Sequence, residues 1–406
     1  MMEFLKSITS KEALKIIESF PIVAKTETVD IENALCRILA EDIISMEDIP
    51  PFSRSLVDGF VLITKDTYGA KETNPSFLYT KGEIKVGEET KITIEDGHTV
   101  YISTGAMIPE GADGVIMEEY VRRTTDGIEL TKAVHKGENI CFVGEDIKKG
   151  GKVLNKGKRL SPFDLGMLSA LGHSKIPVYK KAEVGIISSG DEIVEIHHTP
   201  PPGKVRDINR YTITNLLKKE GSIAKFIGIT KDNIEDITEI LASAHGFDML
   251  LISGGSSKGE RDFVTASIER LGGKILFHGI NIKPGKPTIF GTLWNKPIFG
   301  LPGHPASCVM VVIRYVLPLL RRLQGEETHG EKKIKGILTT NIPSSFGIEE
   351  YIRITTKYIK GKYYIYPIFA KSSVISSLTN ASGYIVIPEG KEGYEKDEEV
   401  EVYLLE

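Results

Sequence analysis

The stretch "DMLLISGGSSKGERDF", residues 248–263, decides the reading of the fold. Its apolar residues from Met249 to Ile252 run without alternation and stop at Ser253-Gly254-Gly255. A short apolar run closed by glycines fits a strand buried on both faces, as in a parallel sheet. "VTASIERLGG" follows at helical spacing. The same order repeats upstream: "KAEVGIISSG" (181–190) is an apolar strand, and "NRYTITNLLKKEG" is a helix capped by Asn209 and stopped by Gly221. "SIAKFIGIT" is again a strand, and "DNIEDITEILASAHG" a helix with Asp232 as cap, Glu235 as its box partner and Gly246 as stop. Strand–helix alternation of this kind builds an open parallel sheet covered by helices. Ligands in such sheets sit beyond the carboxyl ends of the strands.

Outward from this region the character of the chain changes. "TIFGTLWNKPIFG" predicts a hairpin turning at Asn295-Lys296. "CVMVVIRYVLPLL" predicts a buried helix, since a bilayer span takes about 20 apolar residues and Arg314 breaks this run. "SKEALKIIESF" (10–20) has helical spacing, and "LSPFDLGMLSALGH" (160–173) predicts a helix capped by Ser161, with Pro162 at its first position and Gly172 as its stop. From 46 to 146 short alternating stretches ("FVLI", "TVYIS", "GVIMEEYV") between Gly and Pro read as β-rich. From 332 to 406 only β-like stretches occur, which predicts a small β-barrel or sandwich. The chain is thus expected to be a multidomain α/β protein, and its 406 residues suit roughly two to four domains.

A hydrophobic content of 41% and a charged content of 26% are those of a soluble globular protein. The net charge of −4 points to neither nucleic acid nor an anionic membrane as partner. Cys36, Cys141 and Cys308 form no CxxC pair, so neither a disulfide framework nor a zinc site is indicated. A reducing, cytoplasmic compartment is the expectation. The first residues carry acids at a helical period rather than a signal-peptide core.

Chemistry-bearing residues collect at the strand ends. In "SGGSSKGERDF" the residues Ser253, Gly254, Gly255, Ser256 and Gly259 let backbone N–H groups and hydroxyls approach one anion, and the following helix start adds positive partial charge. A lone Gly-Gly would be a turn; at a strand end of a parallel sheet it favours phosphate contact. "SSGDEIV" (188–194) ends the first strand in the same way, with Ser188 and Gly190, and adds Asp191 and Glu192. Acids beside a phosphate loop hold Mg²⁺, which bridges carboxylate and phosphate oxygens. Asp191 alone reads equally well as a helix cap. Taken with Asp232, Glu260 and Asp262 the set favours a metal site.

"INIKPGKPTIFG" (280–291) places Lys283 and Lys286 across a Pro284-Gly285 corner, with Pro287 next. From Arg270 through Gly325, 56 residues hold no Asp or Glu and eight Lys or Arg, where 55 acids in 406 would place seven or eight. Surface faces normally mix signs. The surplus, on a backbone stiffened by proline, therefore predicts a seat where two ammonium groups converge on one oxyanion. "LPGHPASC" (301–308) opens the next helix, where Ser307 and free N–H groups could take a second anion. His304 reads either as a ligand contact or as merely exposed, and the second reading is favoured. In the β-rich region Asp58, Thr104 and Asp146 lie in Gly-rich turns, and an Asp-Gly pair is first of all a turn signal.

Together "SLVDGF", "STGAMIPEGADGVIMEE", "GEDI", "SPFDLGMLSALG", "ISSGDEIV", "ISGGSSKGERDF", "KPGKPTIFG" and "GLPGHPAS" resemble the molybdopterin molybdenumtransferase family, which includes MoeA and the gephyrin E domain. The motifs stand in family order from about 30 to 390. The resemblance implies four domains: a discontinuous elongated one (1–45 and 147–178), an inserted β domain (46–146), an open parallel α/β molybdopterin-binding domain (179–325) and a C-terminal β-barrel (326–406). It implies a homodimer whose active cleft is shared between protomers. It implies molybdenum insertion into adenylylated molybdopterin from molybdate, with Mg²⁺ and release of AMP. Alternatives are a non-catalytic pterin-binding or scaffold protein of the same fold, or the molybdopterin-adenylylating step; other cofactor-biosynthesis proteins are candidate partners.

By resemblance, Asp58, Thr104, Asp146, Glu192, Asp232 and Asp262 match positions tied to activity, and Asp191, Glu192 and Asp262 would hold the metal. Ser188, Gly190, Ser253, Gly254, Gly255, Ser256, Gly259, Pro284, Gly285, Pro302 and Gly303 would face the pterin nucleotide. Lys283, Lys286, Pro287, Ser307, Arg353 and Ser373 would hold the oxyanion. The chain departs from the family pattern at His304, where Asn is usual, and at Val57, where Met is usual.

Overall fold

The unbroken apolar run Met249–Ser253 forms an inner strand of a six-stranded sheet, and its side chains are buried on both faces. The protein was studied as a computed structural model that describes residues 7–254, 262–327 and 330–405. Two units make up the chain: Met1–Ala40, Gly157–Pro162 and Lys175–Glu406 form one, and Glu41–Lys156 with Phe163–Ser174 the other.

In the first unit the sheet order is Ile223–Thr230, Glu183–Ser189, Met249–Ser253, Lys296–Leu301, Ile289–Leu293, Lys274–His278. The first four strands are parallel; Ile289–Leu293 runs against them, and Lys274–His278 pairs antiparallel with it at the edge. The expected parallel sheet is therefore mixed at one edge. The reason is the hairpin, which turns on Trp294 and Asn295 with φ of 52° and 61° and so reverses the chain without a crossover helix. Odd and even residues of the inner strands go to opposite cores. Val184, Ile186 and Leu251 pack with the helix Asn209–Lys219, and Ile187, Leu250 and Ile252 with the helices Ile234–Ala242 and Phe263–Arg270. Helices thus cover both faces, as the uninterrupted apolar strands required.

Two caps differ from expectation. Asn209 is the first residue of its helix, and the Arg210 N–H is taken by Asp207 at 3.0 Å. The cap of the next helix is Asn233, which accepts from the Asp236 N–H at 2.8 Å, so Asp232 is released for another bond. The apolar run near 310 is a broken helix: Pro305–Val311, a π-turn over Val312–Val316, then Leu317–Leu323, with Pro318 unable to donate at the junction.

The C-terminal strands close on themselves. Glu349–Ile359, Lys362–Pro367, Lys333–Leu338, Glu399–Leu404 and Gly383–Ile387 pair in that order, and the last pairs with the first. Leu338, Ile354, Ile365, Ile385 and Val402 fill the barrel. One short helix, Ser376–Thr379, interrupts the otherwise β-only segment. The strand Ile282–Lys283 from the Pro-Gly corner joins this barrel, pairing in parallel with Glu349 and Glu350.

The second unit holds a six-stranded sheet ordered Gly114–Met117, Gly59–Leu62, His98–Ile102, Lys71–Ile84, Gly127–Lys132, Val121–Arg123. Phe60 and Leu62 enter one core and Val61 the other, so "FVL" reads as continuous rather than alternating. Among the described residues no helix is long and apolar enough to cross a membrane, and all three cysteines are unbridged.

Candidate active site

Beyond the carboxyl ends of the parallel strands the first unit opens a cleft of ≈ 800 Å³. Its floor is tied together by side-chain hydrogen bonds between successive strand ends. Ser188 Oγ donates to Asp207 at 2.6 Å, and Ser189 Oγ donates to Asp232. Asn209 Nδ2 donates to the Gly303 carbonyl at 2.9 Å. Gly254, at φ +98°, takes the Leu301 carbonyl with its N–H at 3.1 Å, which closes the ring of strand ends.

Of the residues singled out from the sequence, Ser188, Asp191, Glu192, Asp232, Ser253, Gly254, Pro287, Pro302, Gly303, Ser307 and Ser373 line this one cleft. Gly190 lies between two of them, in the turn that ends the first strand. Gly255, Ser256 and Gly259 lie outside the described residues, as does Glu260. The serine at 373 arrives on a barrel loop. The Ser372 carbonyl accepts from the Ala306 N–H at 3.0 Å, and Ser372 Oγ meets His304 Nδ1 at 3.1 Å.

Three expectations are corrected. The helix start at Pro305 does not present a free Ala306 N–H for a second anion, because the barrel loop takes it. His304 is not merely exposed: it borders the cleft and holds the loop that carries Ser373. Asp262 does not join Asp191 and Glu192. It caps its helix, accepting from the Thr265 N–H at 3.1 Å and from Thr265 Oγ1 at 2.5 Å, and it meets His278 Nδ1 at 3.0 Å. Among the described residues no three His, Cys, Asp or Glu side chains are grouped as a metal cage.

The acid-free run also looks different in space. Arg270 meets Glu235 at 3.4 Å, Arg314 meets Glu331 at 3.2 Å, and Arg321 meets Glu220 at 2.8 Å. Lys283 meets the buried Glu350 at 2.8 Å, on the barrel strand beside it. Acids brought from outside the run therefore balance much of it. Lys286 stands in no ion pair among the described residues. The Pro284-Gly285 corner sits against the helix Pro305–Val311 and is not among the residues that line the cleft: a Cβ on Gly285 would lie 2.8 Å from Val311 Cγ2.

Arg353 lies in the barrel and is not among the residues that line the cleft. It is buried, its Nη2 donates to the Ala370 carbonyl at 2.6 Å, and its Nε and Nη1 have no acceptor among the described residues. Burial alone lowers its pKa, with no carboxylate to restore it. A buried guanidinium without a counter-ion is costly and is the chemistry of an anion site.

Four acids border the cleft, Asp191, Glu192, Asp207 and Asp232, against one guanidinium, Arg206. Asp207 and Asp232 are occupied by serine hydroxyls. The exposed carboxylates of Asp191 and Glu192 accept no hydrogen bond among the described residues. Two open carboxylates suit Mg²⁺, which takes one or two protein carboxylates and completes its shell with phosphate oxygens and water. In the second unit Asp58 Oδ1 accepts from the Thr104 N–H at 2.7 Å, so these two distant residues share one turn junction. Asp146 lies exposed in the same unit, its N–H donated to the Ile49 carbonyl at 3.0 Å.

The sequence reading missed Asp207, Asn209 as a cleft residue, and Glu350. "VRDIN" carried a signal for the first, an Asp just before a helical period.

Residues 8–172 match the description "MoeA N-terminal region (domain I and II)", residues 185–322 "Probable molybdopterin binding domain", and residues 335–405 "MoeA C-terminal region (domain IV)". The molybdopterin molybdenumtransferase of Bacillus subtilis is 31% identical, over 100% of this chain and 96% of that protein. That of Haemophilus influenzae is 35% identical, over 86% of this chain and 84% of that protein. The crystal structure of the molybdopterin biosynthesis MoeA protein from Pyrococcus horikoshii superposes with a TM-score of 0.85 at 36% identity, covering 98% of this chain and 100% of that one. With a cleft at the strand ends, a closed barrel that lends it a loop, and likeness along nearly the whole chain, this protein belongs to the molybdopterin molybdenumtransferase family.

Proposed function

We propose that the protein inserts molybdenum into adenylylated molybdopterin, taking molybdate as the metal source and releasing AMP. The observation that carries this reading is the convergence in one cleft of Ser253 and Gly254, the open carboxylates Asp191 and Glu192, and Pro287, Ser307 and Ser373. The strand-end backbone and hydroxyls suit the phosphates of the adenylate. Asp191 and Glu192 would hold Mg²⁺, which would supply charge neutralisation between an acidic cleft and an anionic substrate. Ser307, Ser373 and the neighbouring Lys286 suit a tetrahedral oxyanion, with Arg353 holding the loop of Ser373 by its carbonyl. At molybdenum the reaction would be ligand exchange without a change of oxidation state: the two dithiolene sulfurs bind the metal, their two protons leave with one oxo group as water, and cationic side chains would stabilise the departing oxygen.

By family likeness the protein acts as a cytoplasmic homodimer whose copies share the cleft. The test is AMP release from adenylylated molybdopterin on adding molybdate and Mg²⁺. Release that needs both supports the reading. Binding of the adenylate with no AMP release under any condition would replace it with a pterin-carrying or scaffolding role. Consumption of ATP with free molybdopterin would replace it with the adenylylating step.

A further inference from the structure

We infer that His304 is a proton-dependent anion contact of the cleft: with Nδ1 held by Ser372, its Nε2 donates to an oxygen of a tetrahedral dianion, and that anion binds more tightly once the ring gains a proton. The inference rests on the cleft being the site of an anionic substrate. It adds to that reading a residue at which this chain departs from the family pattern, Asn being usual there. His304 lines the cleft with Gly303 and Pro305 on either side of it, and its side chain is exposed. Ser307 and Ser373, assigned above to the oxyanion, line the same cleft. The ring is anchored at one edge: Nδ1 lies 3.1 Å from Ser372 Oγ, on the loop that carries Ser373. Nε2 meets no partner among the described residues and belongs to a ring that solvent reaches.

The surroundings are short of positive charge. Asp191, Glu192, Asp207 and Asp232 line the cleft with Arg206, and the loop of Ser372 adds Lys371. The helix Asn209–Lys219 is tied to Gly303 by Asn209, and its Arg210 is spent on Glu195 at 2.8 Å. The helix Pro305–Val311 carries no charged residue, and burial pushes its Cys308 thiol up. Carboxylates, ammonium and guanidinium groups ordinarily keep their charge from about pH 6 to 8, whereas an imidazole changes its charge there. A dianion entering a cleft where acids outnumber cations gains most from that change. In the neutral ring one nitrogen donates and the other accepts, and in the imidazolium both donate. A serine hydroxyl can donate or accept, so the Ser372 contact is kept in either state. The charged ring then always has one N–H left for the anion.

The test uses the full chain and two probes, molybdate and AMP, with Kd measured by equilibrium dialysis at pH 6 and pH 8. Wild type is compared with His304→Asn, which can still bond Ser372 but cannot gain a proton, and which cancels the titration of AMP itself. At pH 6 the wild-type Kd for at least one probe is expected to be about fivefold below that of the variant, and at pH 8 the two agree within about twofold. The probe that responds tells whether the anion is the free oxyanion or the nucleotide phosphate. Weaker binding by the variant to the same extent at both pH values means that His304 only seats the loop, and overturns the inference. So does equal binding by the two chains at pH 6, or a wild-type chain that takes up neither probe. If His304→Asn does not fold, the wild type decides alone: binding at pH 7 should take up protons, seen as a calorimetric heat that varies with the ionisation heat of the buffer, and no uptake with either anion ends the proposal. A chain that binds anions in this proton-dependent way and releases no AMP keeps the role of His304 and loses the proposed reaction, so the two failures are read separately.

Discussion

Gly254 has φ +98°, and a Cβ there would lie 1.9 Å from the Ser189 carbonyl oxygen. The neighbouring strand end cannot yield without losing the Ser189–Asp232 bond beside it. Gly254→Ala is therefore expected to destabilise by about 2 kcal/mol, visible as a lower urea midpoint, and to weaken AMP binding. The two lysines of the Pro-Gly corner separate at the same scale. Lys286→Ala should raise the KM for molybdate at least tenfold while adenylate affinity changes little; equal losses in both would remove Lys286 from the oxyanion seat. Lys283→Met leaves Glu350 buried with Ser344 Oγ, at 2.9 Å, as its remaining side-chain partner among the described residues. It should cost about 1–2 kcal/mol in chemical denaturation, less than a fully buried pair because Lys283 is largely exposed, whereas Lys286→Met should cost almost nothing.

At the scale of elements, the helix Ser10–Glu18, the π-turn Val312–Val316 and the barrel strand Glu349–Ile359 meet through hydroxyls. Ser10 Oγ lies 2.8 Å from Tyr315 OH and donates to Glu349 at 2.7 Å, while Tyr315 OH lies 3.0 Å from Tyr351 OH. Burial pushes the phenols of Tyr315 and Tyr351 up. In the unfolded chain they ionise near pH 10. Above that pH the folded chain holds protons that the unfolded one releases, so stability is present below about pH 10 and lost as pH rises beyond it. Urea unfolding at pH 8 and pH 10.5 should show the loss, and Tyr351→Phe should make the decline shallower. The helix Phe263–Arg270 depends on its cap in a simpler way: Asp262→Ala should cost about 1 kcal/mol, read from the denaturation midpoint with and without Mg²⁺.

At the scale of the molecule, the proposed homodimer with a shared cleft has a consequence that neither copy has alone. Asp58→Asn and Lys286→Ala chains, each expected to be impaired at limiting molybdate, should regain part of the wild-type AMP release when mixed and allowed to exchange. No recovery, with exchange demonstrated by mass, would mean that each copy works by itself. Much of the architecture was legible beforehand, for a physical reason. Unalternated runs such as Met249–Ile252 need cover on both faces, here by helices, and the alternating stretches after 332 bury one face, which fits a barrel or a sandwich and here closes as a barrel. Local chemistry also placed Ser253, Gly254, Asp191 and Glu192 at strand ends, where a cleft forms.

What the chain order could not carry was pairing across long separations. The run from Arg270 to Gly325 has no acid of its own, yet Glu235, Glu220, Glu331 and Glu350 reach its cations from elsewhere in the chain. Asp262 looked like a metal ligand until its oxygens were found on Thr265 and His278. Asn209 looked like a cap until its amide was found on Gly303. Periodicity and turn chemistry are set by neighbours along the chain, so the sequence by itself determined most elements, their layers and the edge at which the cleft opens. The state of each charged or polar group depends on which group stands within about 3 Å of it, and only the tertiary structure decided that.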